Sequence, residues 1–204
     1  MNVSGRSTVE FDGSPRGPGN DGSSGLSAGM LACAWVALVA VGVAGRVWQP
    51  TYNVTPLVGL ALASGALFSS RLVAASIPAA ALALSNLALP GGGAYGSWVM
   101  AATVYAAFMW PVFAGPLVRR HRILAAIGGS LAGSLVFYLS TNFVHWCFGT
   151  DYPHTLAGLG ECYVAALPFY RWMPVGDLAW TAALVAAASR VASLVAPRPA
   201  TETA

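Results

Sequence analysis

Apolar residues run along this chain in blocks of helical length, separated by short polar turns. The first block covers residues 28–45, and later blocks approach or exceed the same length. A helix needs about 20 mainly apolar residues to cross a hydrocarbon core of ~30 Å. The pattern therefore predicts an all-α fold, a polytopic membrane helical bundle.

Turn and capping residues divide the blocks into six predicted transmembrane helices. Thr55 suits an N-cap because Pro56 follows at the first helical position. Residues 90–93, a proline and three glycines, end the third helix. Pro111 and Pro116 predict kinks in the fourth. The six helices are predicted at about residues 28–45, 56–70, 72–89, 97–118, 123–148 and 178–195.

Three other segments do not fit the pattern of spans. Residues 156–167 are apolar but are only twelve before Pro168, so they predict a re-entrant or interfacial helix. Residues 1–26 are rich in Gly, Ser and Pro and cannot bury enough apolar surface to offset the entropy of ordering. We predict a disordered cytoplasmic tail there and another at 197–204, flanking a transmembrane domain at 27–196.

The few charges set the predicted orientation. Only 8% of the 204 residues are charged and 56% are hydrophobic, unlike a soluble domain. The net charge of +3 arises from ten Arg and no Lys. Most of the arginines lie at the ends of apolar blocks, so no nucleic-acid-binding patch is predicted.

The arginines also predict the orientation. With six spans, eight Arg lie on the same side as the termini, and Arg46 and Arg171 lie on the opposite side. The positive-inside rule predicts an integral membrane protein with both termini cytoplasmic.

Polar side chains collect in the predicted outer half of the bundle. Glu161 lies within the short apolar segment, where a carboxylate is costly unless it is paired or faces an aqueous cavity. Arg171 or His154 would be its structural partners otherwise. Asp177 also suits a helix N-cap, and buried amides such as Asn86 often bond a neighbouring helix. The candidate substrate-binding residues are Asn53, Asn86, Asn142, His145, Tyr152, His154, Glu161, Tyr163 and Asp177.

Catalytic and metal-binding motifs are missing from the sequence. His145, Cys147, His154, Glu161 and Cys162 do not have the spacing of a zinc site. No nucleophile elbow or phosphate-binding loop occurs. We therefore predict no enzymatic activity, no metal and no cofactor. Three cysteines are too few for a disulfide framework, although a bridge between Cys147 and Cys162 is left open.

Several short segments together resemble a known family. They include Thr-Asn-Phe at 141–143, Tyr-Pro-His-Thr at 152–155 and Gly-Asp-Leu at 176–178, with further matches at 53–62, 84–87, 162–163 and 167–169. The pattern is similar to an uncharacterised family of small bacterial membrane proteins described as putative transport proteins. That family is distantly similar to the substrate-binding S components of energy-coupling-factor (ECF) vitamin transporters. The chain departs from the family pattern at Asn86, where an acidic residue is expected after Ser85.

The resemblance implies an S-component-like bundle of six helices with a ligand pocket on the outer side. The pocket would be built from the loops that join helices one to two, three to four and five to six. The predicted function is a substrate-binding subunit that captures a small-molecule solute and docks on a transmembrane coupling subunit with ATPases. The alternative is a non-transport membrane scaffold that assembles through its small-residue faces.

Overall fold

The fold is seen in a computed structural model that describes residues 27–49, 51, 53–91, 93 and 95–195. The two tails that are predicted to be disordered lie outside these residues. Within them the chain forms seven α-helices and one short 3-10 helix, and no strand. The helices are α1 (Ala28–Val47), α2 (Leu57–Leu67), α3 (Arg71–Ala88), α4 (Trp98–Met109), the 3-10 helix (Trp110–Ala114), α5 (Gly115–Phe148), α6 (Leu156–Tyr170) and α7 (Met173–Val195). The all-α prediction is confirmed for this part of the chain.

Hydroxyl side chains begin four of these helices. Ser27, Ser70, Ser97 and Thr155 each accept a bond from the backbone N–H three residues later, which satisfies a donor that has no partner within the helix. The prediction of Thr55 as the N-cap of the second helix is wrong. Pro56, with φ −78°, precedes the first helical residue instead and makes no side-chain cap.

The fourth and fifth helices differ from their predicted bounds. The α-helix ends at Met109 because Pro111 has no N–H to donate and its ring crowds the preceding turn, so the chain continues as a 3-10 helix. Pro116 lies in the first turn of α5, where proline is tolerated. Arg122 has non-helical φ 30° and ψ −91°, so a helical segment does begin near Ile123 as predicted, after a break.

The last two helices are both longer than predicted. α6 has 15 residues and continues through Pro168 to Tyr170. α7 begins at Met173 with Pro174 in its first turn, so Asp177 lies inside the helix. The prediction that Asp177 is an N-cap is therefore wrong.

Helix α2 forms the centre of the molecule. All of its residues from Leu57 to Gly65 are buried, and α3, α5, α7 and the 3-10 helix surround it. Helix α1 packs on α3, while α4 and α6 pack on α5. The core is thus built around a helix that the other elements shield on all sides.

Arginine side chains complete the C-terminal end of α2. Arg71 Nη1 donates to the Gly65 carbonyl at 3.2 Å, and Arg119 Nη1 donates to the Ala66 carbonyl at 3.3 Å. The last carbonyls of a helix have no partner within it, so these bonds act as caps. We call this end of the bundle, which also carries Arg122 and Arg190, the arginine end.

Among the described residues, three stretches are long and apolar enough to cross a membrane: Ala28–Val47, Arg71–Ala88 and Trp98–Phe148. Their presence is compatible with a membrane protein. Helix α2 has 11 residues and extends only roughly 16 Å, which is shorter than the hydrocarbon core. Six spans and the orientation of the termini stay predictions.

The three cysteines, Cys33, Cys147 and Cys162, are all free thiols. We expect protein denatured without reductant and treated with iodoacetamide to gain three alkyl groups by intact mass spectrometry. A prior reduction step should add nothing. A gain of one group without reductant would reveal the bridge between Cys147 and Cys162 and contradict the structure.

Candidate functional site

Helix α5 is paired along its length with two successive helices. Near its C-terminal end, Tyr163 of α6 donates from its hydroxyl to the Leu139 carbonyl at 2.9 Å. Further towards the arginine end, Ser134 Oγ donates to Asp177 Oδ2 of α7 at 2.6 Å. Helices α6 and α7 therefore follow one another antiparallel to α5, and the chain between them is broken at residues 171–172.

A cavity of about 230 Å³ lies at this joint between α6 and α7. Its walls come from α5, from both helices of the joint and from the connection between α1 and α2. The lining residues are Asn53, Phe137, Tyr138, Thr141, Asn142, Ala166, Phe169, Tyr170 and Met173. We call it the joint cavity.

Two asparagines bring amide groups to the joint cavity. Asn53 has φ 63°, a left-handed conformation that asparagine tolerates better than most residues, and its Nδ2 donates to the Phe169 carbonyl at 3.2 Å. Asn142 Nδ2 donates to the Tyr138 carbonyl at 2.8 Å. Among the described residues Asn142 Oδ1 has no protein partner, so this acceptor is available to a ligand.

Aromatic rings form the apolar side of the joint cavity. The Tyr138 ring lies 4.5 Å from that of Tyr170 and 5.5 Å from that of Tyr163, measured between centroids. The Tyr138 hydroxyl donates to the Tyr163 carbonyl at 2.6 Å, which fixes its orientation. Such rigid aromatic walls provide contact area for a small molecule at a low cost in side-chain entropy.

Four of the predicted site residues lie outside the joint cavity, around the loop that follows α5 or on the surface of α6. His145 Nε2 lies 3.1 Å from Asp151 Oδ2, with the Tyr152 ring nearby. The His154 ring contacts Trp146. Glu161 is exposed on α6. The contact of His145 with Asp151 is the only one between a basic and an acidic side chain found among the described residues, so the alternative pairing of Glu161 with Arg171 or His154 is not observed.

Asn86 belongs to a separate network between α1, α3 and the start of α4. Its Oδ1 accepts a bond from Arg46 Nη1 at 2.5 Å, and its Nδ2 donates to the Tyr95 hydroxyl at 2.8 Å. Arg46 Nη1 also donates to Ser85 Oγ at 2.7 Å. All four side chains of the network bond to other protein groups, so Asn86 has the structural role that a buried amide often has.

Of the nine predicted residues, the structure places Asn53 and Asn142 in the joint cavity. Tyr163 lies behind the Tyr138 ring, and Asp177 lies one turn beyond Met173 in the interior. Phe169, Tyr170 and Met173 were missed. Pro168 and Pro174, which bracket the break, were the available sequence signal for a joint at which side chains could converge.

A second, larger cavity of about 650 Å³ lies between α5 and α7 at the arginine end. Its walls are mostly apolar, with Arg122, Ser189 and Arg190 at its outer part and Thr181 at its inner end. It therefore joins the positively charged surface to the interior of the bundle. We call it the arginine groove.

The comparisons with known proteins add a family but no activity. No curated protein and no solved structure matches the chain. The family of unknown function DUF6580 matches residues 27–198, which include every helix described above. The chain therefore belongs to this uncharacterised family.

Proposed function

We propose that this protein is a membrane-embedded subunit of a transporter, and that it binds a small, uncharged polar solute in the joint cavity. The observation that carries the proposal is the convergence of Asn53 and Asn142, far apart in the sequence, on one cavity with aromatic walls. Sites for small molecules characteristically combine apolar walls with a few placed polar groups.

The lining of the joint cavity restricts the class of solute. None of its nine residues carries a charge, so a bound ion would lose its hydration without gaining a counter-charge. Asn142 Oδ1 favours a ligand with an N–H or O–H donor, and the tyrosine rings favour a flat apolar part. The volume of about 230 Å³ suits a compound smaller than a typical drug.

The break between α6 and α7 favours a protein that transports its solute over one that holds the solute permanently. Transport proteins often bind their substrate at interrupted helices, because the helix ends and the backbone at a break offer polar groups to it. By its resemblance to S components, the subunit would release the solute after docking on a transmembrane coupling subunit with ATPases. We propose that the cavity faces the outside of the cytoplasmic membrane, in agreement with the arginine count.

The proposal is tested by a thermal-shift screen of the purified full chain against small neutral heterocycles and amides, followed by titration of a stabilising compound. For such a compound, Asn142→Ala should weaken the Kd about tenfold or more, because a lost hydrogen bond in a dry site costs ~1.5 kcal/mol. Asn53→Gly, which keeps the left-handed backbone, should also weaken it.

Glu161→Gln provides the matched control for this titration. Its side chain is exposed on α6 and does not line the joint cavity, so the Kd should stay within about twofold of wild type. Unchanged affinity in both asparagine variants would show that the compound does not bind in the joint cavity. A loss of affinity in Glu161→Gln alone would show that it binds at the surface of α6.

A scaffold function is the second candidate, and one feature favours it. A shallow apolar groove runs along α1, lined by Trp35, Val36, Val39, Ala40, Val43, Ala44, Val47, Trp48 and Leu84. Small residues within it would allow the close approach of another helix. A scaffold should bind a partner protein through α1 and show no saturable stabilisation by small molecules.

A further inference from the structure

Four polar side chains meet in the interior where α5 and α7 run side by side. Ser134 bonds Asp177, and Ser130 and Thr181 each lie one turn closer to the arginine end on their own helices. Residues four apart share a helix face, so Ser130 and Thr181 also face the contact between α5 and α7. All four are buried, with relative exposures of 0 to 1%. We call them the seam cluster.

The seam cluster lacks the partners that such burial requires. Ser134 Oγ donates to Asp177 Oδ2, but Asp177 Oδ1, Ser130 Oγ and Thr181 Oγ1 have no hydrogen-bond partner among the described residues. Buried polar atoms in folded proteins are nearly always bonded, and each exception points to a bound water, an ion or a functional role. These three orphan oxygens belong to one helix contact, and a bound water or cation there would satisfy them.

The carboxyl group of Asp177 restricts which species can bind at the seam cluster. Helix α2 presents Val58 and Leu62 towards the neighbouring turns of α5, and the tyrosines Tyr138 and Tyr170 lie on the cavity side. No cationic side chain pairs with Asp177 in the described part of the chain. A carboxyl group within an apolar bundle either takes up a proton or is balanced by a positive charge.

We propose that the seam cluster is a binding site for a small monovalent cation of the sodium type. Hard cations bind carboxylate and hydroxyl oxygens, and a single positive charge would balance a single carboxylate. The three orphan oxygens would all become ligands. The site goes beyond the proposed solute site, because its ligands are separate from the residues that line the joint cavity.

The surroundings also indicate the side from which the cation arrives. Tyr138 and Met173 line the joint cavity and lie one turn from Ser134 and Asp177, respectively. None of the nine residues that line the joint cavity is positively charged. The arginine groove reaches Thr181 from the other side, but a cation would have to pass Arg122 and Arg190, whose field repels it. The cation therefore enters from the joint cavity.

The test follows the thermal unfolding of the full chain in a mild detergent while NaCl replaces choline chloride at constant ionic strength. Wild type should gain about 5 °C in Tm as sodium saturates, since a ligand that binds only the folded state stabilises it. Asp177→Asn keeps the shape and removes the charge, so its Tm should not respond to sodium. Thr181→Val removes one ligand and should raise the half-saturating sodium concentration about tenfold.

Two controls separate this site from its alternatives. Ser189→Ala lies in the arginine groove away from the orphan oxygens and should keep the wild-type response. Asn142→Ala should keep the sodium response even where it loses solute binding. The proposals for the cation site and for the solute site can therefore be disproved separately. The proposal is overturned if wild type shows no difference between sodium and choline, or if either Asp177→Asn or Thr181→Val responds to sodium as wild type does. A response to pH alone would identify a proton site instead.

Discussion

Gly115→Ala is expected to lower the free energy of unfolding by about 3 kcal/mol or more. The added Cβ would overlap the backbone carbonyl of Gly65, where the end of α2 crosses the start of α5. Backbone cannot rotate away as a side chain can, so the two helices must separate, and overpacking of this kind usually costs 1 to 3 kcal/mol even against side chains. The measurement is unfolding of the purified chain in detergent, followed by tryptophan fluorescence.

Gly128→Ala is the matched control in the same helix. A Cβ at Gly128 would meet no atom within 4 Å, and alanine is a better helix former than glycine by up to about 1 kcal/mol. This variant should therefore be as stable as wild type or more so. Equal stabilities for the two variants would show that α2 and α5 do not approach each other at Gly65 and Gly115.

Arg46→Met is expected to cost about 2 to 4 kcal/mol of stability. The Arg46 guanidinium donates from α1 to three acceptors on α3, the Leu82 carbonyl, Ser85 Oγ and Asn86 Oδ1. Methionine fills similar space but leaves the buried Asn86 oxygen unbonded, and an abandoned buried polar group costs 1 to 3 kcal/mol. Chemical unfolding in detergent would measure the loss.

Arg171→Met serves as the control for Arg46→Met. Arg171 is exposed and lies 5.6 Å from the Trp172 ring centroid, so its removal should cost less than about 1 kcal/mol. Asn86→Leu combined with Arg46→Met completes a double-mutant cycle. The double variant should recover part of the loss, because the buried Asn86 oxygen that Arg46→Met leaves unbonded is removed as well. Strictly additive losses would mean that Arg46 and Asn86 do not interact.

Much of the helical framework could be predicted from local signals. Apolar blocks and the breaks between them predicted α1 and α3 to within about two residues. The signals are local, because Ser70 caps the helix that follows it and Pro90 with its glycines ends the helix that precedes them. The bounds near residues 109–123 were harder to predict. Pro111 marked a kink near the end of α4 in the sequence, but nothing in the local sequence indicates the positive φ of Arg122.

The candidate site was predicted only in part. Asn53 and Asn142 were identified because amides stand out in apolar sequence, and both line the joint cavity. Phe169 and Tyr170 resemble ordinary membrane aromatics, and only the pairing of α6 and α7 along α5 brings them to the cavity. Glu161 was singled out as a carboxylate, but its helix turns it to the surface.

The arginine caps on α2 set an order for biogenesis. Arg71, which caps Gly65, follows α2 closely in the chain, but Arg119, which caps Ala66, lies beyond α3 and α4. The Ala66 carbonyl therefore has no partner until the chain has been synthesised as far as Arg119. A helix of 11 residues with open carbonyls is only marginally stable on its own. Chains truncated before Arg119 lack one of the two arginine caps on α2, so we expect them to be degraded.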